Sequence, residues 1–128
     1  MTKTVNKKRP VNLDFSTIKL PITALVSITH RITGILLFGG VAALMWMLQA
    51  SLESAEGFAA VKSLGNHPIC HFILFAILAL LAYHTAMGVR HLIMDFGIGE
   101  SLEGGQRGAK IALFVSIVLI ALAGVWIW

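Results

Sequence analysis

The chain has 128 residues, 57% of them hydrophobic and only 12% charged, a balance too apolar for a soluble domain of this size, and its composition points to a membrane protein. Its formal net charge of +4 comes from basic runs beside apolar stretches, a pattern of membrane topology and anionic-lipid contact rather than a nucleic-acid arm. The single cysteine, Cys70, excludes an intrachain disulfide, a Cys-x-x-Cys redox pair and a covalently attached c-type haem.

Residues 1 to about 20 form a polar approach segment carrying Lys3, Lys7, Lys8, Arg9 and Lys19. Its basic start runs into polar sequence, not into a short apolar stretch with a small-residue cleavage site, so no cleaved leader is expected. A first transmembrane helix is predicted over about 22–52. Ile32 to Leu52 is free of charge for the roughly 20 residues that cross a bilayer, and Pro21 favours a helix start beside it. A short connection around Glu53 to Pro68 leads to a second helix over about 68–93. Gly97 to Gly108, with five glycines, then joins it to a third helix over about 109–128.

Neither connection has room for a soluble catalytic domain, and the chain has no internal repeat. The expected architecture is all-α: one membrane-anchor domain, 1–128, with three transmembrane helices. Basic residues gather before the first helix and around the second connection, as Arg90, Arg107 and Lys110, whereas the first connection has Lys62 against Glu53 and Glu56. The positive-inside rule places the N-terminus and second connection in the cytoplasm. The C-terminus, with Trp126 and Trp128 at interface depth, lies outside.

The most informative stretch is His84-Thr-Ala-Met-Gly88-Val-Arg90-His91, at the end of an otherwise uncharged run. Ligand-type side chains in hydrocarbon are costly and mark functional sites by default. His84 and His91 are two helical turns apart on one face, about 10 Å along the axis. On the first helix Ser27, His30 and Arg31 also share a face. Because the two helices run in opposite directions, both clusters fall at the same depth near the cytoplasmic end, describing a polar pocket in an apolar wall.

Neutral imidazole is a good ligand for haem iron, and His84, the deepest histidine of its helix, suits that role. Its plainer reading is a hydrogen bond between helices. Gly88 reads either as room for a flat macrocycle or as ordinary helix packing. The carboxylates of a haem need charge-assisted partners, for which Arg31, His30 and His91 are available. Ser27 and Arg31 also suit a quinone carbonyl, donating hydrogen bonds that strengthen as the oxygen gains electron density; Arg31 reads equally as a snorkelling side chain. Asp95, one turn past His91, is a candidate proton entry or a solvated interfacial charge. His67 and His71 read as interfacial, and Met45, Met47, Met87 and Met94 as apolar filler.

Three motifs together resemble the larger membrane anchor, or cytochrome b subunit, of bacterial succinate dehydrogenase: Arg9-Pro10-Val11-Asn12-Leu13, Ser27-Ile-Thr-His30-Arg31-Ile-Thr33-Gly34, and His84-x-x-x-Gly88-x-Arg90-His91-x-x-x-Asp95. The resemblance covers essentially the whole chain. It implies that His84 is one axial ligand of a haem b shared with a second, smaller anchor subunit, which completes the helix bundle. It further implies that Ser27 and Arg31 line a ubiquinone site and that His30, Arg31 and His91 lie near the haem propionates. An iron-sulfur subunit would meet the polar N-terminal segment, and succinate would be oxidised on a flavoprotein subunit outside the membrane. The implied location is the bacterial inner membrane, with the C-terminus periplasmic. Many members, mitochondrial ones included, follow Arg-Pro with Ser-Pro-His. Val11-Asn12-Leu13-Asp14 in this chain points to a bacterial subgroup.

Two rivals remain at this level. A fumarate reductase anchor runs the same redox couple in reverse, and a haem-free assembly or transport protein would use its buried histidines only to join helices.

Overall fold

The computed structural model describes residues 17–128; the Arg9-Pro10 motif and the basic residues before it lie outside the described residues. Four helices follow one another: α1 (Ile22–Glu53), α2 (Ala55–Leu64), α3 (Pro68–Asp95) and α4 (Leu102–Ile127). Of these, α1, α3 and α4 are long and apolar enough to cross a membrane, with mean hydropathies of 1.9, 2.1 and 2.5 in their most apolar windows. The chain is a multi-pass, all-α membrane protein.

Helix α1 starts after Pro21, whose carbonyl accepts from the amides of Ala24 and Leu25 at 3.0 and 3.2 Å. Its 32 residues make it longer than the roughly 30 Å hydrocarbon core requires, so it tilts or projects into the interface. The stop at Ser54 also starts α2, because the Ser54 hydroxyl accepts from the Gly57 amide at 2.9 Å. The first connection, expected as a plain loop, is thus mostly helical, with Glu56 in its first turn and Lys62 in its last, both favourable to the helix dipole.

Gly57 makes this reversal possible. A Cβ there would lie 2.3 Å from the Ala50 main-chain oxygen, and backbone cannot swing aside as a side chain can. Gly57→Ala is expected to cost about 1–3 kcal/mol, the usual range for overpacking. A lower thermal midpoint of helical circular dichroism in detergent checks it; an unchanged midpoint would contradict the tight turn.

Helix α4 also differs from expectation, starting at Leu102 rather than near 109. Ser101 caps it, accepting from the Gly104 amide at 3.1 Å, and Glu103 occupies its first turn. Gly104, Gly105 and Gly108 look like loop formers in sequence, but here they belong to the helix and give up side chains for close approach. A Cβ on Gly104 would lie 2.8 Å from Cα of Gly99, and one on Gly108 would touch Nε of Arg90 at 3.6 Å. The turn between α3 and α4 uses positive φ at Gly97 and Gly99, 78° and 79°, the left-handed region open to glycine.

Apolar burial does not drive helices together in lipid, where the solvent is as greasy as the side chains, so close contact of small residues takes over. Gly105, Ala109, Ala112 and Ser116 of α4 are buried at helical spacing, and Met87 of α3 is fully buried in a cluster with Val26, Ala109 and Ala112. Gly40 of α1 faces Ile77, Gly34 faces His84 and Gly88 faces His30, so α1 and α3 run antiparallel with glycines opposite bulkier groups. Large apolar side chains such as Phe38 (86% exposed) and Ile35 (76%) point away from the bundle.

Candidate functional site

The antiparallel register of α1 and α3 collects three imidazoles. His30 of α1 stacks on His84 of α3 with ring centroids 4.1 Å apart and planes 17° from parallel. His91, two turns further along α3, approaches the same His30 at 5.0 Å and 45°. Residues 54 and 61 positions apart in the chain thus form one column, and its centre, His30, sits between the two α3 histidines.

Each ring is held differently. Nδ1 of His84 lies 3.1 Å from the His30 carbonyl oxygen and 3.1 Å from the Thr33 hydroxyl, and the hydroxyl itself donates to that carbonyl at 2.8 Å. Gly34 lets the ring settle on α1, since a Cβ there would come within 3.0 Å of Cε1 of His84. Nε2 of His30 is buried with no hydrogen-bond partner among the described residues. A buried polar atom left unpaired costs about 1–3 kcal/mol, so this orphan nitrogen marks a place where a polar group from outside the chain is wanted. Gly88 stands beside it; a Cβ there would make ordinary contact with Nε2 at 3.6 Å.

Ser27, half-buried, and Arg31, exposed, lie one turn apart on α1, flanking His30. Asp95 is the last residue of α3 and exposed. Sequence reasoning grouped Arg90 with His84 and His91 but gave it no role of its own. It is 7% exposed, donates from a terminal guanidinium nitrogen to the Gly105 carbonyl at 3.1 Å, and keeps a buried Nε without a partner. Thr29 was missed. Its hydroxyl bonds the Tyr83 hydroxyl, and both line, with Thr33, an apolar groove of about 820 Å³ between the helices. The signal was present in the Thr29-x-x-x-Thr33-Gly34 spacing, which puts two hydroxyls on one helical face.

At the opposite end of the bundle His71 meets Trp128 edge-on at 6.0 Å, and Phe75 packs on the same indole at 5.2 Å. His71 therefore belongs to an aromatic cluster remote from the histidine column.

No group of three or more His, Cys, Asp or Glu side chains among the described residues is arranged to hold a bare metal ion. Haem iron makes a smaller demand, since its macrocycle supplies four nitrogens and a chain needs to add only an axial one. The column and its orphan nitrogen fit such a group.

Comparison with known proteins identifies the family. Residues 5–123 match the family described as succinate dehydrogenase/fumarate reductase transmembrane subunit. The chain is 38% identical over 125 residues to a succinate dehydrogenase cytochrome b556 subunit of Coxiella burnetii, covering 97% of this chain and all of the relative. It is 32% identical to the protein of the same description from Paracoccus denitrificans, over 89% of this chain and 88% of the relative. A mitochondrial cytochrome b560 subunit from Bos taurus is also 32% identical, over 95% of this chain and 74% of the relative. The chain belongs to the succinate dehydrogenase/fumarate reductase transmembrane subunits and is a membrane-anchor subunit of that class of oxidoreductase.

Proposed function

We propose that this chain helps to hold haem b and ubiquinone at the cytoplasmic end of its bundle and to pass electrons from an iron-sulfur subunit to the quinone. The observation that carries the reading is the histidine column. His84 is seated on α1 through Nδ1, while neighbouring His30 has a buried Nε2 without a partner. A ligand with an axial coordination position and acidic side groups answers both features. The names of the relatives, cytochrome b subunits of succinate dehydrogenase, support succinate oxidation over the reverse reaction.

In this reading His84 would ligate the haem iron, and His30, Arg31 and His91 would receive the propionates. A bound haem b would supply a one-electron store beside the quinone path or a staple between the helices. A smaller anchor subunit would supply a second ligand and complete the bundle. A flavoprotein subunit oxidises succinate outside the membrane.

Ser27 Oγ and the Arg31 guanidinium hydrogen-bond a quinone carbonyl. Their contribution rises as negative charge builds on that oxygen, so they favour the reduced quinone over the oxidised one. Asp95, exposed at the cytoplasmic end of α3, relays protons from water to that site. The polar segment of about residues 1–20 lies in the cytoplasm against the iron-sulfur subunit, as the charge distribution favours, and the C-terminus is periplasmic.

The test is a reduced-minus-oxidised visible spectrum of the complex, purified in mild detergent through a tag on this chain. A sharp b-type α band that co-purifies with the chain is expected. An intact multi-subunit complex without that band would leave a haem-free quinone anchor, and a solitary chain without it would point to an assembly or transport role.

A further inference from the structure

Three atoms form a nearly equilateral triangle at the joint between α1 and α3: Nδ1 of His84, the main-chain oxygen of His30 and the hydroxyl of Thr33. The sides are 3.1 Å, 3.1 Å and 2.8 Å. A carbonyl oxygen only accepts, and Thr33 spends its single proton on it. Two oxygens therefore face Nδ1 with lone pairs and no proton to offer. An unprotonated Nδ1 would set three lone-pair-bearing atoms against one another in a low-dielectric interior; a protonated one satisfies all three. The proton belongs on Nδ1, which leaves Nε2 of His84 with a free lone pair.

Thr33 is 9% exposed and faces a helix partner rather than lipid. A threonine in a helix commonly bonds back to its own chain, but that alone would not place its oxygen within reach of a ring 51 residues away. Gly34 completes the seat, because a Cβ there would come within 3.0 Å of Cε1 of His84 and the ring would have to give by a few tenths of an ångström.

We propose that Thr33 is a positioning residue that sets the tautomer of His84. Its hydroxyl, with the His30 carbonyl, keeps the proton on Nδ1 and presents Nε2 outward as the ligating nitrogen. The placement of the proton stands on geometry alone; its consequence for iron rests on the proposed role of His84 as a haem ligand. Acceptors on the far nitrogen of a ligating imidazole raise its basicity and so favour ferric over ferrous iron.

The test takes the full chain labelled with ¹⁵N-histidine in detergent micelles, with His84 assigned by its absence in His84→Gln, and the purified complex alongside. Wild type is expected to show His84 protonated at Nδ1. Thr33→Val, which keeps the shape and drops the hydroxyl, should raise the Nε2–H population about 2- to 10-fold, the ratio that one neutral hydrogen bond commands. It should also move the haem midpoint potential upward in the complex. Thr33→Ser should restore wild-type behaviour in both, which a merely structural role would not require. Wild type protonated at Nε2, or Thr33→Val with an unchanged tautomer ratio, overturns the proposal. A complex without a b-type band but with Nδ1–H at His84 upholds the assignment of Thr33 and removes the haem role. A b-type band with Nε2–H in the free chain does the reverse.

Discussion

His84→Ala is expected to remove the b-type band from the purified complex while the three membrane helices stay assembled. The two effects separate because they draw on different amounts of free energy. As a structural element His84 contributes its contact with the His30 carbonyl and Thr33 hydroxyl and its stack on His30. Interhelical hydrogen bonds in membranes average only about 0.6 kcal/mol, too little to unmake a bundle closed by small-residue packing along α3 and α4. As the proposed iron ligand it would contribute a coordinate bond. Loss of an outer partner of a metal ligand costs roughly 10- to 100-fold in affinity, and loss of the ligand itself should exceed that. Haem per complex, from the pyridine haemochrome, and subunit stoichiometry on a gel together check the result. Full haem content in the alanine variant would move His84 from ligand to helix joint.

Arg31→Ala is expected to lower quinone reduction about 10- to 100-fold, because a hydrogen bond to a charged group is worth about 1.5–3 kcal/mol and each 1.4 kcal/mol is tenfold in rate. Arg31 is exposed on α1, so its removal should leave stability within about 0.5 kcal/mol. Succinate-to-quinone turnover should fall while succinate oxidation by a soluble dye acceptor persists. Arg31→Lys should recover only part of the rate, since an ammonium keeps the charge but lacks the two-pronged donor geometry. Ser27→Ala, removing a neutral donor worth about 0.5–1.5 kcal/mol, should cost roughly 2- to 10-fold. A wild-type quinone rate in Arg31→Ala would take Arg31 out of the quinone site and leave it a snorkelling charge at the interface.

The three spans were legible because the bilayer is a demanding solvent: a run without charge for its full thickness has few structures open to it. The approach of His30 to His84 and His91 was legible in outline, since spacing within each helix and opposite helix directions put the clusters at one depth. The third span was read too short, because Gly104, Gly105 and Gly108 carry a loop signature in isolation and a packing role beside Arg90 and Gly99. α2 was missed because its cap, Ser54 accepting from Gly57, is a short-range geometry that no periodicity announces.

Composition and charge placement by themselves determined the membrane class, the number of spans and the candidate ring nitrogens, since these follow from solvation costs summed along the chain. Which face each histidine turns, which nitrogen is engaged and which is left without a partner depended on contacts between residues 51 and 54 positions apart. Only the tertiary structure decided those. Thr33 and Gly34 matter there because two helices cross at that point, and the crossing is a property of their packed surfaces rather than of either sequence segment.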